Sequence, residues 1–423
     1  MTEIPVDIII IGAGPAGLAA AIAAKKAGID SLIVFERDNI PGGILNQCIH
    51  TGFGLHRFKV ELTGPEYAHR DVVEAEKLGI DIRLGVTVLD LNQDKIVTCI
   101  SHEKGLEKYK AKAVILAMGC RERPRGALAI PGTRPAGVYA AGTAQKFLNM
   151  EGYMPGNNIV ILGSGDIGLI MARRMVLQGA NVLACVEIMP YSSGLNRNIV
   201  QCLEDFDIPL YLEHTVVDIK GKNRLESVTV SKVDSSRTPI PGSEFEIPCD
   251  TLLLSVGLIP ENELTDCANA QISRITSGPI VNSHFETSVD GIFACGNVLH
   301  VHDLVDYVSS ESAAAGEKAA EYVLGKRDTS TLIDVVDGKG VRGCVPQKIF
   351  IDDKQGIDLM FRPDNVYKNH YLTLTAGDKV LMSQKKMILA PGEMVNVRLN
   401  EDKLSQIAEG EELVVSITPE KVG

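Results

Sequence analysis

The sequence predicts an α/β fold built on parallel sheets, and three observations carry that prediction. One pattern occurs twice, over Asp7–Glu36 and again over Asn158–Glu187: an apolar run, a glycine-rich turn, a stretch of helical composition, a second apolar run and a closing Glu. Continuous β-branched runs such as Ile8–Ile11 and Ile159–Leu162 read as strands covered on both faces, as in a parallel sheet. Gly is abundant (40 residues) and Trp absent, which suits many tight βα turns better than a β-sandwich.

Composition narrows the class further. A chain of 423 residues suits two or three domains, and 45% hydrophobic with 23% charged side chains is a globular balance. Asp and Glu outnumber Lys and Arg 54 to 42, a net charge of −12 that argues against a non-specific nucleic-acid binder. No apolar run approaches the ~20 residues of a transmembrane helix. The start, MTEIPVDIIIIGAG, lacks the basic region of a signal peptide. The nine cysteines include no CxxC, which argues against a zinc ribbon or a cysteine-spaced iron–sulfur site. Their odd number predicts free thiols and a cytoplasmic location.

In chain order, Ile8–Ile11 is a strand and Ala16–Lys26 a helix, with Gly28 where that helix stops. Glu66–Gly79 reads as a helix, Ile80–Leu91 as strands, and Ala113–Gly119 as a buried strand ending in Gly. The second repeat opens at Ile159–Leu162, continues in a helix over Ile167–Gln178 and stops at Gly179. Strands follow at Leu210–Asp218, Ser227–Val233 and Thr251–Gly257, then Gly291–Gly296 and a small-residue helix, Ser309–Leu324. From about Lys326 the texture changes to period-2 alternation with turn signals, which predicts a small β-rich domain.

The turns carry the chemistry. Gly12-Ala13-Gly14-Pro15-Ala16-Gly17 is a GxGxxG between strand and helix: Gly12 for the tight turn, Gly14 for backbone approach to a pyrophosphate, Gly17 for helix–strand packing. The helix N-terminus offers N–H groups and a positive dipole end. Glu36 ends the next strand, placed to accept from an adenosine ribose, and Arg37 follows it. Gly163-Ser164-Gly165-Asp166-Ile167-Gly168 repeats the logic with Glu187, where a carboxylate favours NAD(H) over NADP(H); Arg173 or Arg174 nearby could blur this. Asp166 places an unfavourable charge near the pyrophosphate.

Two dinucleotide units in one chain suggest two nucleotides meeting face to face. GAGPAG with Glu36, AVILAMG at Ala113–Gly119, TLLLSVG at Thr251–Gly257 and TSVDGIFACGN at Thr287–Asn297 resemble the motif set of the two-dinucleotide-binding-domain flavoproteins, the pyridine nucleotide–disulfide reductase superfamily, over about residues 5–325. More narrowly, Pro41–Gly54, Gly119–Gly142 and Val298–Val308 resemble flavoprotein subunits found with glycerol-3-phosphate, opine, proline and cyanide-forming dehydrogenases. The resemblance implies FAD and NAD as cofactors. It implies that Gly12, Gly14, Pro15, Ala16, Gly17, Glu36 and Arg37 hold the ADP half of FAD, with Gly42 and Gly43 by its ribityl–pyrophosphate region. Ala117 and Gly119 would back the FAD, Val88 would lie near its adenine, and Gly296 and Asn297 would close over the ribityl chain. Asn297 stands where the family usually has Asp, and its carbonyl oxygen could still accept. Tyr307 and Val308 would open a helix aimed at the flavin, and Gly257, at the second Gly-terminated strand end, would be a further cofactor-binding residue.

The redox cysteines depart from the superfamily pattern. Gly42-Gly43 is followed by one cysteine, Cys48, so neither a Cys-x4-Cys nor a CxxC relay exists. Cys48 could be a lone redox thiol or simply a small apolar residue. His50 reads as structural sooner than as a proton relay. His300 and His302 could act near the flavin as proton relay or stabiliser, and Cys48, His300 and His302 are the catalytic candidates. No partner ligands for a metal are evident beside the His-x-His pair, so no metal is expected. Arg121, Arg123 and Arg125 suit an anion or, preferably, a solvated hinge.

The expected architecture is two Rossmann-like domains, with an NAD domain (127–263) inserted into an FAD domain (1–126 and 264–326), and a β-rich C-terminal domain (327–423). The expected function is hydride transfer between NAD(H) and FAD without a redox disulfide, as an electron-transfer subunit of a glycerol-3-phosphate-type dehydrogenase. A small iron–sulfur protein and a second dehydrogenase subunit are the expected partners, in an oligomer. The alternatives are a stand-alone NADH oxidase or diaphorase using Cys48, and a non-catalytic assembly subunit with structural nucleotides.

Overall fold

A computed structural model describes residues 2–326 and 330–422. Contacts divide the chain into two compact units, Met1–Cys120 with Pro260–Gly423, and Arg121–Ile259. The expected change-over at 327 falls among residues 327–329, outside the described residues. The tail beyond it has a hydrophobic core of its own and groups by contact with the first unit. None of the described helices is long and apolar enough to cross a membrane.

The first unit is organised by a seven-stranded sheet. Six of its strands run in the order Asp81–Arg83, Leu32–Phe35, Glu3–Ile11, Gly105–Leu116, Ile96–Ser101, Val86–Leu91, and the seventh, Ile292–Ala294, pairs with Gly105–Leu116. Glu3–Ile11 pairs in parallel with both neighbours. Alternate residues of that strand feed two cores: Ile8 and Ile10 pack under the helices, whereas Ile9 and Ile11 pack against Val86, Leu91 and Val97. That two-sided burial is why the run is continuous rather than alternating. Beyond Glu3–Ile11, the long strand Gly105–Leu116 has two further partners, its front half pairing with Ile96–Ser101 and its back half with Ile292–Ala294. Helices Pro15–Lys26 and Val305–Val323 approach closely where Gly316 meets Ala20: a Cβ on Gly316 would lie 2.2 Å from the Ala20 carbonyl oxygen.

The second unit holds a five-stranded parallel sheet in the order Val138–Ala140, Thr251–Leu254, Asn158–Leu162, Asn181–Glu187, Leu210–Leu212. Helix Asp166–Leu177 covers one face through Leu169, Met171, Ala172 and Met175. A three-stranded antiparallel sheet covers the other through Val216, Val228 and Val230. In the tail, five- and three-stranded sheets enclose Leu359, Leu372, Leu374 and Leu413. Arg362 of the tail bonds the Val301 carbonyl oxygen at 3.1 Å and pairs with Asp303, whose Oδ2 accepts the Met394 N–H at 2.6 Å.

Candidate functional site

The first glycine-rich turn is set by close backbone packing. Gly12 has φ +104°, and a Cβ there would lie 2.5 Å from the Ala117 carbonyl oxygen; a Cβ on Gly17 would strike the Gly12 oxygen. Gly14 differs, because the nearest atom to its Cβ position is 4.0 Å away. Helix Pro15–Lys26 starts there with Pro at its first position and no side chain capping it, so its first N–H groups face an open cradle. Glu36 is 7% exposed. Its Oε2 accepts the Ala13 N–H at 2.8 Å and its Oε1 accepts the Asp38 N–H at 2.9 Å. Arg37 is exposed. The Gly42 N–H donates to the Ala13 carbonyl oxygen at 2.8 Å, which lays Gly42-Gly43 against the turn. Val88 sits on the neighbouring hairpin, where Val86 rather than Val88 bonds the Glu36 carbonyl oxygen, at 2.9 Å.

Distant residues join this turn. A Cβ on Gly296 would lie 2.7 Å from Ala16 and 3.3 Å from Val308, so the segment after Ile292–Ala294 abuts the first helix. The Gly296 N–H donates to Glu311 Oε1 at 2.7 Å. Glu311, His300 and His302 form one buried cluster. His300 Nε2 lies 2.7 Å from Glu311 Oε2 and His302 Nε2 lies 3.2 Å from the same oxygen. Burial alone would raise the Glu311 carboxyl, but His302 and His300 hold it well below the usual carboxylate range. Burial and then the charge of His302 push His300 down. Asn297 Oδ1, expected to face the ribityl chain, accepts the His302 N–H at 3.0 Å, and Asn297 Nδ2 donates to Cys120 Sγ at 3.5 Å. Tyr307 is partly exposed and its ring stacks on His56 at 5.6 Å. Cys48 ends a 3-10 turn, Gly43–Gln47; its thiol donates to the Ile44 carbonyl oxygen at 3.3 Å, and burial pushes it up to about 12. His50 Nδ1 lies 3.0 Å from the Thr51 carbonyl oxygen.

The second turn repeats the first. Gly163 has φ +92°, and a Cβ there would lie 2.1 Å from the Ser255 carbonyl oxygen. Gly165 precedes helix Asp166–Leu177, again without a side-chain cap, and Gly168 packs on Ser255. Glu187 Oε2 accepts from Ser164 N–H at 2.9 Å and Ser164 Oγ at 2.5 Å, and Oε1 accepts the Met189 N–H at 2.9 Å. Asp166, expected to face the pyrophosphate, turns to the segment after Glu187. Its Oδ1 accepts from Leu195 N at 2.9 Å and Asn198 Nδ2 at 2.6 Å. Ser193 N adds a bond to Ser164 Oγ at 3.0 Å. Ile167 is the second residue of the helix, and the carbonyl oxygen of the exposed Gly257 accepts the Arg123 N–H at 3.0 Å. Arg125 donates to the carbonyl oxygens of Ile130, Pro131 and Thr133, knitting its own crossover as a hinge would.

Sequence reasoning missed Glu311 and Cys120. Glu311 lies in a run of small helical residues, and only the helix's return to Gly296 gives it meaning. It is also the partner that the His-x-His pair lacked.

Both turns pass a chemical test for dinucleotides, with helix starts that no N-cap side chain caps and carboxylates with lone pairs to spare; the first adds room at Gly14, where the nearest atom to a Cβ is 4.0 Å away. The family model for pyridine nucleotide-disulphide oxidoreductases matches residues 6–319. An opine oxidase subunit of Agrobacterium tumefaciens is 26% identical over 312 residues, 69% of this chain and 61% of that protein, so the chain spans about three fifths of that relative's length. The small chain of NADPH-type glutamate synthase from Mycobacterium tuberculosis is 25% identical over 352 residues, covering 75% of this chain and 67% of that one. The crystal structure of T. acidophilum thioredoxin reductase superposes with a TM-score of 0.61 at 25% identity, over 77% of this chain and 99% of that one.

Proposed function

The chain belongs to the pyridine nucleotide-disulphide oxidoreductase family, FAD- and NAD(P)-dependent oxidoreductases, and from that premise we propose that it passes hydride between nicotinamide C4 and flavin N5 without a redox disulfide, as the electron-transfer subunit of a dehydrogenase complex. The observation that carries this is the duplicated carboxylate device, Glu36 under one turn and Glu187 under the other. Gly12, Gly14 and Glu36 hold the FAD pyrophosphate and ribose in this reading, with Gly296 and Val308 beside the flavin end. Gly163, Gly165 and Glu187 hold the nicotinamide nucleotide, and the Glu187 carboxylate favours a free 2′-hydroxyl, hence NAD(H). The domain division expected from the sequence, an NAD domain within a split FAD domain and a β-rich tail, is part of the same proposal.

None of the nine cysteines, all among the described residues, is held in a disulfide, and burial leaves the Cys48 thiol protonated at neutral pH. A single-cysteine oxidase needs a thiolate, so the Cys48 geometry favours a cofactor-only path. The opine oxidase and glutamate synthase relatives are each named as one component of a larger enzyme, which supports a partner that takes the electrons. A small iron–sulfur protein and a second dehydrogenase subunit of glycerol-3-phosphate type complete the reading.

The test is anaerobic. NADH added to the yellow protein is expected to bleach the flavin band within seconds; a flavin that dithionite reduces and NADH leaves oxidised would overturn the reading. Purification of the untagged complex, with iron analysis, tests the partners.

A further inference from the structure

The His300–Glu311–His302 cluster holds more donor capacity than a hydrogen-bond network uses. Its donor atoms all lie within 4.8 Å of one another, and the three side chains are at most 5% exposed. The ring of His302 is oriented from its other end. Nδ1 lies 3.0 Å from the His300 carbonyl oxygen and 3.3 Å from Asn297 Oδ1, both acceptors, so Nδ1 carries a proton. Nε2 is buried with no hydrogen-bond partner, although Glu311 Oε2 lies 3.2 Å away. A hydrogen-bonded pair points donor at acceptor; metal ligands point at a common centre between them. A ring nitrogen with its opposite N–H held by a backbone carbonyl is also the arrangement by which proteins fix the tautomer of a ligating histidine.

We propose that His300, His302 and Glu311 form a buried site for one divalent cation of the zinc class, bound by two imidazole nitrogens and one carboxylate oxygen. Tetrahedral ligands at about 2.0–2.1 Å from a metal stand roughly 3.3 Å apart. The separations of 2.7 and 3.2 Å to Glu311 Oε2 are about 0.6 and 0.1 Å short of that spacing, a gap that side-chain rotation can open. Two imidazoles select against magnesium and calcium, which take oxygen ligands. The cation also compensates a carboxylate whose side chain has no solvent exposure. Glu311 Oε1 meanwhile holds the Gly296 N–H, so the site fixes the segment that abuts the first helix.

The full-length, FAD-loaded protein is treated with chelator, given one equivalent of zinc(II), desalted and analysed for metal. About one zinc per chain is expected, with an X-ray absorption shell of nitrogen and oxygen at about 2.0–2.1 Å, imidazole scattering and no sulfur. His302→Ala and Glu311→Gln are each expected to weaken zinc retention at least about tenfold, with zinc counted per folded chain. A wild-type protein that retains no zinc, or holds it in a sulfur-containing shell, overturns the proposal; so does a folded variant that retains it. The wild-type readings decide even if a variant fails to fold, and metal content is independent of bleaching by NADH.

Discussion

At the first glycine-rich turn Glu36 holds two backbone N–H groups and the space over Gly14 is open; at the second, Glu187 holds two N–H groups and the Ser164 hydroxyl, and Ser193, Leu195 and Asn198 bond across to Ser164 and Asp166. The backbone device is the same: a positive-φ glycine pressed on the next strand's carbonyl and a carboxylate pinning the loop. The polar groups differ. The first turn leaves lone pairs and helix N–H groups to be satisfied by a ligand, which suits a group that stays. The second satisfies more of its own groups through a neighbouring segment, so the loop keeps its shape when the ligand leaves. That suits a nucleotide that comes and goes.

Breaking each turn at its first glycine gives the largest expected effect. Left-handed strain alone costs about 1–3 kcal/mol, and each substitution adds a clash with a backbone oxygen. Gly12→Ala should yield protein with less than about a tenth of the wild-type flavin absorbance, since 1.4 kcal/mol is tenfold in binding. Gly163→Ala should stay yellow and lose bleaching by NADH. A colourless Gly163→Ala would erase the assigned difference.

Neutralising the carboxylates comes next. Hydrogen bonds to charged groups contribute about 1.5–3 kcal/mol. Glu187→Gln should raise KM for NADH about tenfold or more and narrow the preference over NADPH, with kcat spared and flavin retained; Glu36→Gln should instead speed flavin loss on dilution. Steady-state kinetics and ultrafiltration separate the two.

Asp166→Ala tests the neighbouring segment. Losing the bonds to Leu195 and Asn198 should speed amide exchange over residues 191–198 by about fivefold, at about 1 kcal/mol, with a smaller change in KM for NADH. Unchanged exchange would mean that Ser164 alone holds the segment. The smallest effect is expected at Cys48. With its thiol pushed up to about 12, Cys48→Ser should leave turnover within about twofold, and the native thiol should resist alkylation at pH 8 while exposed Cys267 reacts.

Both turns were legible in the sequence because they are local: glycine spacing, strand, helix and Glu all fall within thirty residues of chain. The helix ends were legible too, with Gly28 and Gly179 at positive φ just past them. What escaped were pairings across sequence. Glu311 is meaningless until the helix Val305–Val323 folds back on Gly296, and Asp166 reads as a misplaced charge until Leu195 and Asn198 reach it. The tail's texture predicted strands, but its ties to residues before it, such as Arg362 with Asp303 and Gln347 with Val281, join positions fifty-nine and sixty-six apart in the chain. No periodicity encodes that.

The strand Gly105–Leu116 sets an order of assembly. Its back half finds its outer neighbour only when Ile292–Ala294 has been made. During synthesis the leading segment therefore waits with Val114, Ile115 and Leu116 exposed along one edge, while Arg121–Ile259 can complete its own sheet first. The later-made piece closes the earlier-made one, and a nascent chain halted before residue 292 carries an unsatisfied, sticky β edge.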